Sequence, residues 1–130
     1  MSYVKINSTL YPATINGKTA DREWDNRESK AITLEMDYAT AVNLFVDGLE
    51  WSIVEQHEVP VYQTDERGEY VLDENGSPVQ TGTEIQETEW DNSEYSIAGN
   101  LTDHRDGTIT AKMGKLTELE EAYEIMLGGI

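Results

Sequence analysis

The sequence predicts an α+β fold, a mainly antiparallel sheet of hairpins covered by two amphipathic helices. Short apolar runs of period two recur between tight-turn residues, which is the pattern of half-buried strands. Two segments, about 38–47 and 116–127, switch to helical spacing. The chain has 130 residues and is 38% apolar, enough for a single domain, 1–130, with its own core. At 14.7 kDa a compact fold exposes roughly 6,900 Å².

Tyr3 to Asn7 alternates, with Val4 and Ile6 on one side, and reads as the first strand. Asn16-Gly17 suits a type I′ turn, because both central residues need positive φ. Residues 18–30 are polar apart from Trp24 and read as a loop with Trp24 tucked inward. Ile32, Leu34 and Met36 alternate again as a strand.

At Asp37 the period changes. Tyr38, Ala41, Val42, Phe45, Val46 and Leu49 form a helical stripe, and Asp37 can cap the free first-turn amides. Gly48 suits the left-handed residue after the last turn. Trp51, Ile53, Val59 and Val61 then share one strand face, which places Trp51 in the core. Glu55 and His57 interrupt that face, so the strand leaves the core midway.

Residues 64–94 hold ten acidic residues and one basic residue, Arg67, a local charge of −9. Asp65-Glu66-Arg67-Gly68 and Glu74-Asn75-Gly76-Ser77 are turn signals on either side of Tyr70-Val71-Leu72. The segment reads as a projecting acidic hairpin or loop. Residues 94–113 form a further hairpin around Asp106-Gly107. Tyr95, Ile97, Leu101, Ile109 and Met113 lie on its core face. Ser96, Asn100, Thr108, Thr110 and Lys112 lie on a polar face open to a partner. The last helix starts on a capping box, Thr117 with Glu120, and carries Leu116, Leu119, Tyr123 and Met126 or Leu127 as its apolar stripe.

Composition excludes several classes of function. Nine basic residues against 26 acidic ones give a net charge of −17. Nothing offsets phosphate repulsion, so direct nucleic-acid binding and anionic membrane surfaces are disfavoured. With no cysteine there is no thiolate chemistry and no Cys-type zinc site. No apolar run can cross a bilayer, and the first residues lack the apolar core of a signal peptide.

Catalytic constellations do not stand out either. The two histidines, His57 and His104, lie far apart, and no nucleophile elbow or phosphate loop occurs. The run Asp103 to Thr110 resembles the middle of an EF-hand loop. With Gly107 at the sixth position, Thr102, His104 and Met113 fall where calcium requires oxygen donors, so it reads as a β-turn. Asp73 to Ser77 could loosely cage calcium but lacks a closing Glu. The chain reads as non-enzymatic, with no cofactor.

Candidate contact residues are Trp24, Trp90, Tyr70 and Tyr95. Trp24 and Trp90 sit in polar, acidic surroundings, where an aromatic can stack on a sugar, anchor a protein or fold over the core edge. They also share an echo, Trp24-Asp25-Asn26-Arg27-Glu28 and Trp90-Asp91-Asn92-Ser93-Glu94, readable as a duplicated loop or as coincidence.

The stretches WDNRESKAITLEMDYATAVNLFVDGLEWSIVEQ and IAGNLTDHRDGTITAKMGKLTELEEAYEIMLGG resemble small acidic uncharacterised proteins of temperate phages and prophages of Gram-positive bacteria. Those are encoded among tail and virion-assembly genes. The resemblance covers most of the chain outside 64–94. It implies a structural or assembly role through protein–protein contacts with other phage structural proteins. It also implies a bacterial cytoplasmic origin with incorporation into the virion. The residues leave open two alternatives, an acidic DNA-mimic inhibitor of a host protein and a carbohydrate-binding module using Trp24 or Trp90. The isolated chain is expected to be a monomer or weak dimer.

The charge makes one testable demand. At −17 the folded state repels itself, and salt screens this beyond about 8–10 Å. The melting temperature should rise from low to moderate sodium chloride; a fall would contradict this.

Overall fold

The computed structural model describes residues 1–128. Seven strands form one antiparallel sheet: β1 (Ser2–Ile6), β2 (Thr9–Asp21), β3 (Arg27–Glu35), β4 (Ser52–Tyr62), β5 (Gln80–Asp91), β6 (Ile97–Asp103) and β7 (Thr108–Gly114). Their spatial order is β5-β4-β1-β2-β3-β7-β6. Helix α1 (Tyr38–Leu44) joins β3 to β4, and α2 (Glu118–Gly128) follows β7. The expected α+β architecture with two covering helices is corrected by this arrangement. Strands hold 54% of the chain and the two short helices 15%.

The sheet covers itself. β5 and β6 are its opposite edges, yet only residues 92–96 join them. Flat, seven strands would put the edges about 29 Å apart. From Asp91 to Ile97 the chain reaches about 21 Å at most. The sheet must therefore curl until its edges approach. Backbone bonds hold the connection: Asn92 N–H donates to the Trp51 carbonyl at 2.9 Å, and Gly48 N–H to that of Ser96 at 2.8 Å. Val4 and Ile6 of β1, Ile32 and Leu34 of β3, Ile109, Ala111 and Met113 of β7, and Ala41, Phe45, Trp51 and Tyr95 share one core.

β2 makes the curl possible. Its first residues pair with β1 and its later ones with β3, so one long strand serves both halves. Here the expected turn at Asn16-Gly17 is corrected. β2 runs straight through, with Asn16 opposite Ala31 and Gly17 opposite Lys30. The left-handed pair is Asn7 (φ 51°) and Ser8 (φ 67°). Tyr11, Ala13 and Ile15 continue the alternation and pack against the core, and that burial keeps the strand extended past Asn16. The second reversal is a 3₁₀ turn, Arg22–Trp24, closed by Asp25 (φ 56°) and Asn26 (φ 59°).

α1 begins where Asp37 accepts from Thr40 N–H at 2.7 Å, and it ends at Leu44, short of the expected 47. α2 departs further from expectation. Leu119, Tyr123, Ile125 and Met126 are 62–81% exposed, so this helix does not cover the sheet. The curled sheet has already buried its own apolar face and leaves α2 nothing to seal. The side chain of Leu127 lies outside the described residues. No described helix is long and apolar enough to cross a membrane.

Beyond Gln56, β4 leaves β1 behind and continues with β5 alone. This two-stranded arm projects from the body, and every residue of β5 is exposed. The total surface is 9043 Å², roughly 2,000 Å² above that of a compact chain of this mass.

Candidate functional site

Two regions gather the unusual chemistry: the arm, and a charged cluster on the outer face of β3 and β7.

The arm ends in a compact knob, residues 63–79. Gln63 N–H donates to the Val79 carbonyl, Val71 N–H to that of Gln63, and Val79 N–H to that of Val71, at 2.8–2.9 Å. Three chain passages thus pair in a ring, each eight residues from the next. The two loops between them are built alike. In each, an aspartate, Asp65 or Asp73, accepts through Oδ1 from the N–H groups two and four residues on, at 2.8–3.1 Å. In each, a glycine, Gly68 (φ 80°) or Gly76 (φ 78°), takes the left-handed position that favours a residue without Cβ. The octads QTDERGEY and VLDENGSP are a true repeat. Sequence reasoning found both turns but missed the period, although Asp-Glu-x-Gly recurs at 65 and 73.

The knob and arm present apolar groups to solvent. Tyr70 is 60% exposed and Leu72 57%, with Tyr70 edge-on to Tyr62 at 5.6 Å. Ile85 is 64% exposed and Trp90 49%. Trp90 stands on β5 opposite Ile53, in a strand where the sequence suggested a loop. Carboxylates line the same strand: Glu87 accepts from Gln56 Nε2 at 2.6 Å and Glu89 pairs with Lys5 at 3.0 Å.

The other two candidates are internal contacts. The Tyr95 ring is buried, edge-on to Trp51, and its hydroxyl donates to Glu28 at 2.9 Å. Burial pushes this phenol up, helped by the Glu28 hydrogen bond. Trp24 lies on the outer face of the sheet. Its ring fills the space that side chains at Gly99 and Gly114 would need, since a Cβ at Gly99 would stand 2.7 Å from it. This loop covers part of the hairpin face expected to be open to a partner.

The outer cluster surrounds Arg27. Its side chain is 6% exposed, its guanidinium lies 4.9 Å over the Trp24 ring, and its Nη1 donates to the Lys115 carbonyl at 2.7 Å. Nη1 and Nη2 also hold both oxygens of Glu120, on α2, at 2.5 and 3.1 Å, while Nε has no partner. Arg27 and the Thr117 N–H hold the Glu120 carboxyl down at about 2. Beside it, buried Asp21 pairs with Lys112 at 2.9 Å, which lowers the Asp21 carboxyl. On the other face of β3, beside Tyr95, Lys115 joins Glu28 at 2.6 Å and Glu94 at 3.3 Å. These are the last residues of the two echoed pentapeptides, although Asp25 and Asn26 are left-handed and their counterparts are not.

Among the described residues no group of three or more His, Cys, Asp or Glu side chains is placed to hold a metal. A groove of about 690 Å³ opens between the start of β1 and the middle of β2 and β3. Its lining runs from Tyr11 and Ala13 to Leu34 and Thr108, with Glu35 as its one carboxylate. Comparison with protein-family models, with curated proteins and with solved structures found no match.

The Arg27–Glu120 pair sets a pH dependence with a defined sign. Glu120 is depressed on folding, so its contribution is present above the ordinary carboxylate pKa. It is lost as pH falls from about 4.5 towards about 2. In chemical denaturation, the stability gap between wild type and Glu120→Gln should be widest near neutral pH. It should close between pH 5 and pH 2. A gap independent of pH would show that the pair contributes nothing.

Proposed function

We propose that this chain is a non-enzymatic structural or assembly protein of the tail region of a phage or prophage. It is made in the bacterial cytoplasm and built into the particle through contacts with other phage structural proteins. The arm is the contact element, and one observation carries the reading. A long two-stranded ribbon leaves the body with its outer strand wholly exposed, and it ends in a hydrogen-bonded knob that presents Tyr70 and Leu72. Such an edge is an open row of backbone donors and acceptors, and strand addition is a recurring mode of recognition. Exposed apolar groups in a polar rim mark interaction surfaces in the same way. The charge of −17 keeps the free protein from pairing with itself along this edge.

The alternatives have less support. A DNA mimic requires free carboxylates, whereas Glu87 and Glu89 are engaged within the sheet. A sugar platform using Trp24 or Trp90 is left with Trp90 alone, since the Trp24 ring is held by Arg27.

The test replaces Tyr70→Ser and Leu72→Ser together in the genome that encodes the chain. Both side chains are mostly exposed, so the purified variant should melt like wild type. Particles counted by electron microscopy after induction should be largely lost while the protein still accumulates. Particle numbers equal to wild type would overturn the reading.

A further inference from the structure

β5 is the outer strand of the arm, and its far edge has no neighbouring strand. The register with β4 decides which backbone groups lie on that edge. In an antiparallel ladder, opposed residues alternate between pairs that bond each other and pairs that bond outward. Asn92 N–H donates to the Trp51 carbonyl at 2.9 Å, and in the same phase Trp90 opposes Ile53 and Thr88 opposes Glu55. These residues face β4. Gln56 is turned the other way, since its N–H and carbonyl both bond Met1, and it opposes Glu87. The N–H and carbonyl groups of Ile85, Glu87, Glu89 and Asp91 therefore point to the open edge.

Side chains two residues apart on a strand share a face at a spacing of about 7 Å. The residues that carry the free backbone groups thus also carry a row of three carboxylates with Ile85 at its end. Lys5 shows the chemistry the row accepts: from β1, two strands away, its Nζ reaches Glu89 at 3.0 Å. Among the described residues each carboxylate is engaged through one oxygen, Glu87 by Gln56, Glu89 by Lys5 and Asp91 by Ser93.

Taking the arm as the contact element, as above, we propose that the occupant of this edge is an extended segment of another protein with a defined pattern. It carries Lys or Arg at three alternating positions, then an apolar residue two further on, and it adds antiparallel to β5. The three cations oppose Asp91, Glu89 and Glu87, and opposite charges across strands stabilise each other. The apolar residue covers Ile85, which is 64% exposed. Backbone bonds to the open edge supply the rest, as in other strand additions. A second copy does not fit, because its β5 would set carboxylates against carboxylates. No segment of this chain has cations at three alternating positions, so the strand comes from a different protein.

A fluorescent peptide, TKTKTKTIT, tests this against the full-length chain by anisotropy. It should bind saturably. The peptide TTKKKTTIT has the same composition without the alternation and should bind weaker by roughly tenfold or more. The first peptide N-methylated at its lysines keeps every charge but loses the donors that face β5, and should weaken as much. N-methylation at the threonines between the lysines, whose N–H groups face away, should leave binding within about twofold. No binding by TKTKTKTIT, or equal binding by the scrambled or lysine-methylated peptide, would overturn the proposal.

A charge exchange fixes the register. Glu87→Lys should bind TKTKTKTIT more weakly than wild type and prefer TKTKTETIT, whose Glu falls opposite position 87. The same order of preference for both proteins would overturn the proposed register and with it the proposal. These peptide results are separate from particle assembly. Failed binding alongside particle loss in the Tyr70→Ser, Leu72→Ser double variant would overturn the cationic partner and leave the role of the arm standing.

Discussion

The five-residue connection between the two edge strands is the constraint on which this structure depends. It is too short to cross a flat seven-stranded sheet, so the sheet has to curl. Curling brings the residues of β1, β3 and β7 over one another with α1 at the side, and the result is a core that needs no second layer. Everything else follows from what this arrangement leaves out. The outer half of the β4–β5 ribbon has no strand beside it, and α2 has no apolar face to meet.

The end of the β3–β7 ladder, on both of its faces, shows how a very acidic chain uses few cations. Arg27, Lys112 and Lys115 are not spread over the surface for solubility. They fix the loop after β2, the strand ends and the start of α2, through Glu120, Asp21 and Glu28. Trp24 lies among them on two glycines, where any Cβ would collide. A charged, aromatic seam thus closes the side of the sheet that the core does not reach.

Much of this was legible in the sequence. Alternation at Val4 and Ile6, at Ile32 and Leu34, and at Ile109 to Met113 marks strands that bury one face. Asp37 was readable as a cap. Trp51 was readable as core, and the break at Glu55 and His57 falls where β4 leaves the body. Other features depend on tertiary context. The turn lies at Asn7-Ser8 because β2 must serve two ladders, which local preference for Asn-Gly cannot anticipate. The stripe of α2 has the same spacing as that of a covering helix, but coverage depends on whether the sheet is flat, and that is set by strand order. The burial of Arg27 had little local signal: Trp24 lies three residues away, but Gly114 and Glu120 are about 90 residues distant along the chain.

A self-covering body leaves an arm and a helix outside it. Small-angle X-ray scattering, extrapolated to zero concentration so that association does not contribute, tests this directly. A compact chain of this length has a radius of gyration of about 14 Å. The arrangement described here requires a clearly larger radius and an asymmetric distance distribution with a long tail from the arm. A radius near 14 Å with a symmetric distribution would mean that arm and helix fold back on the body, and would contradict the account.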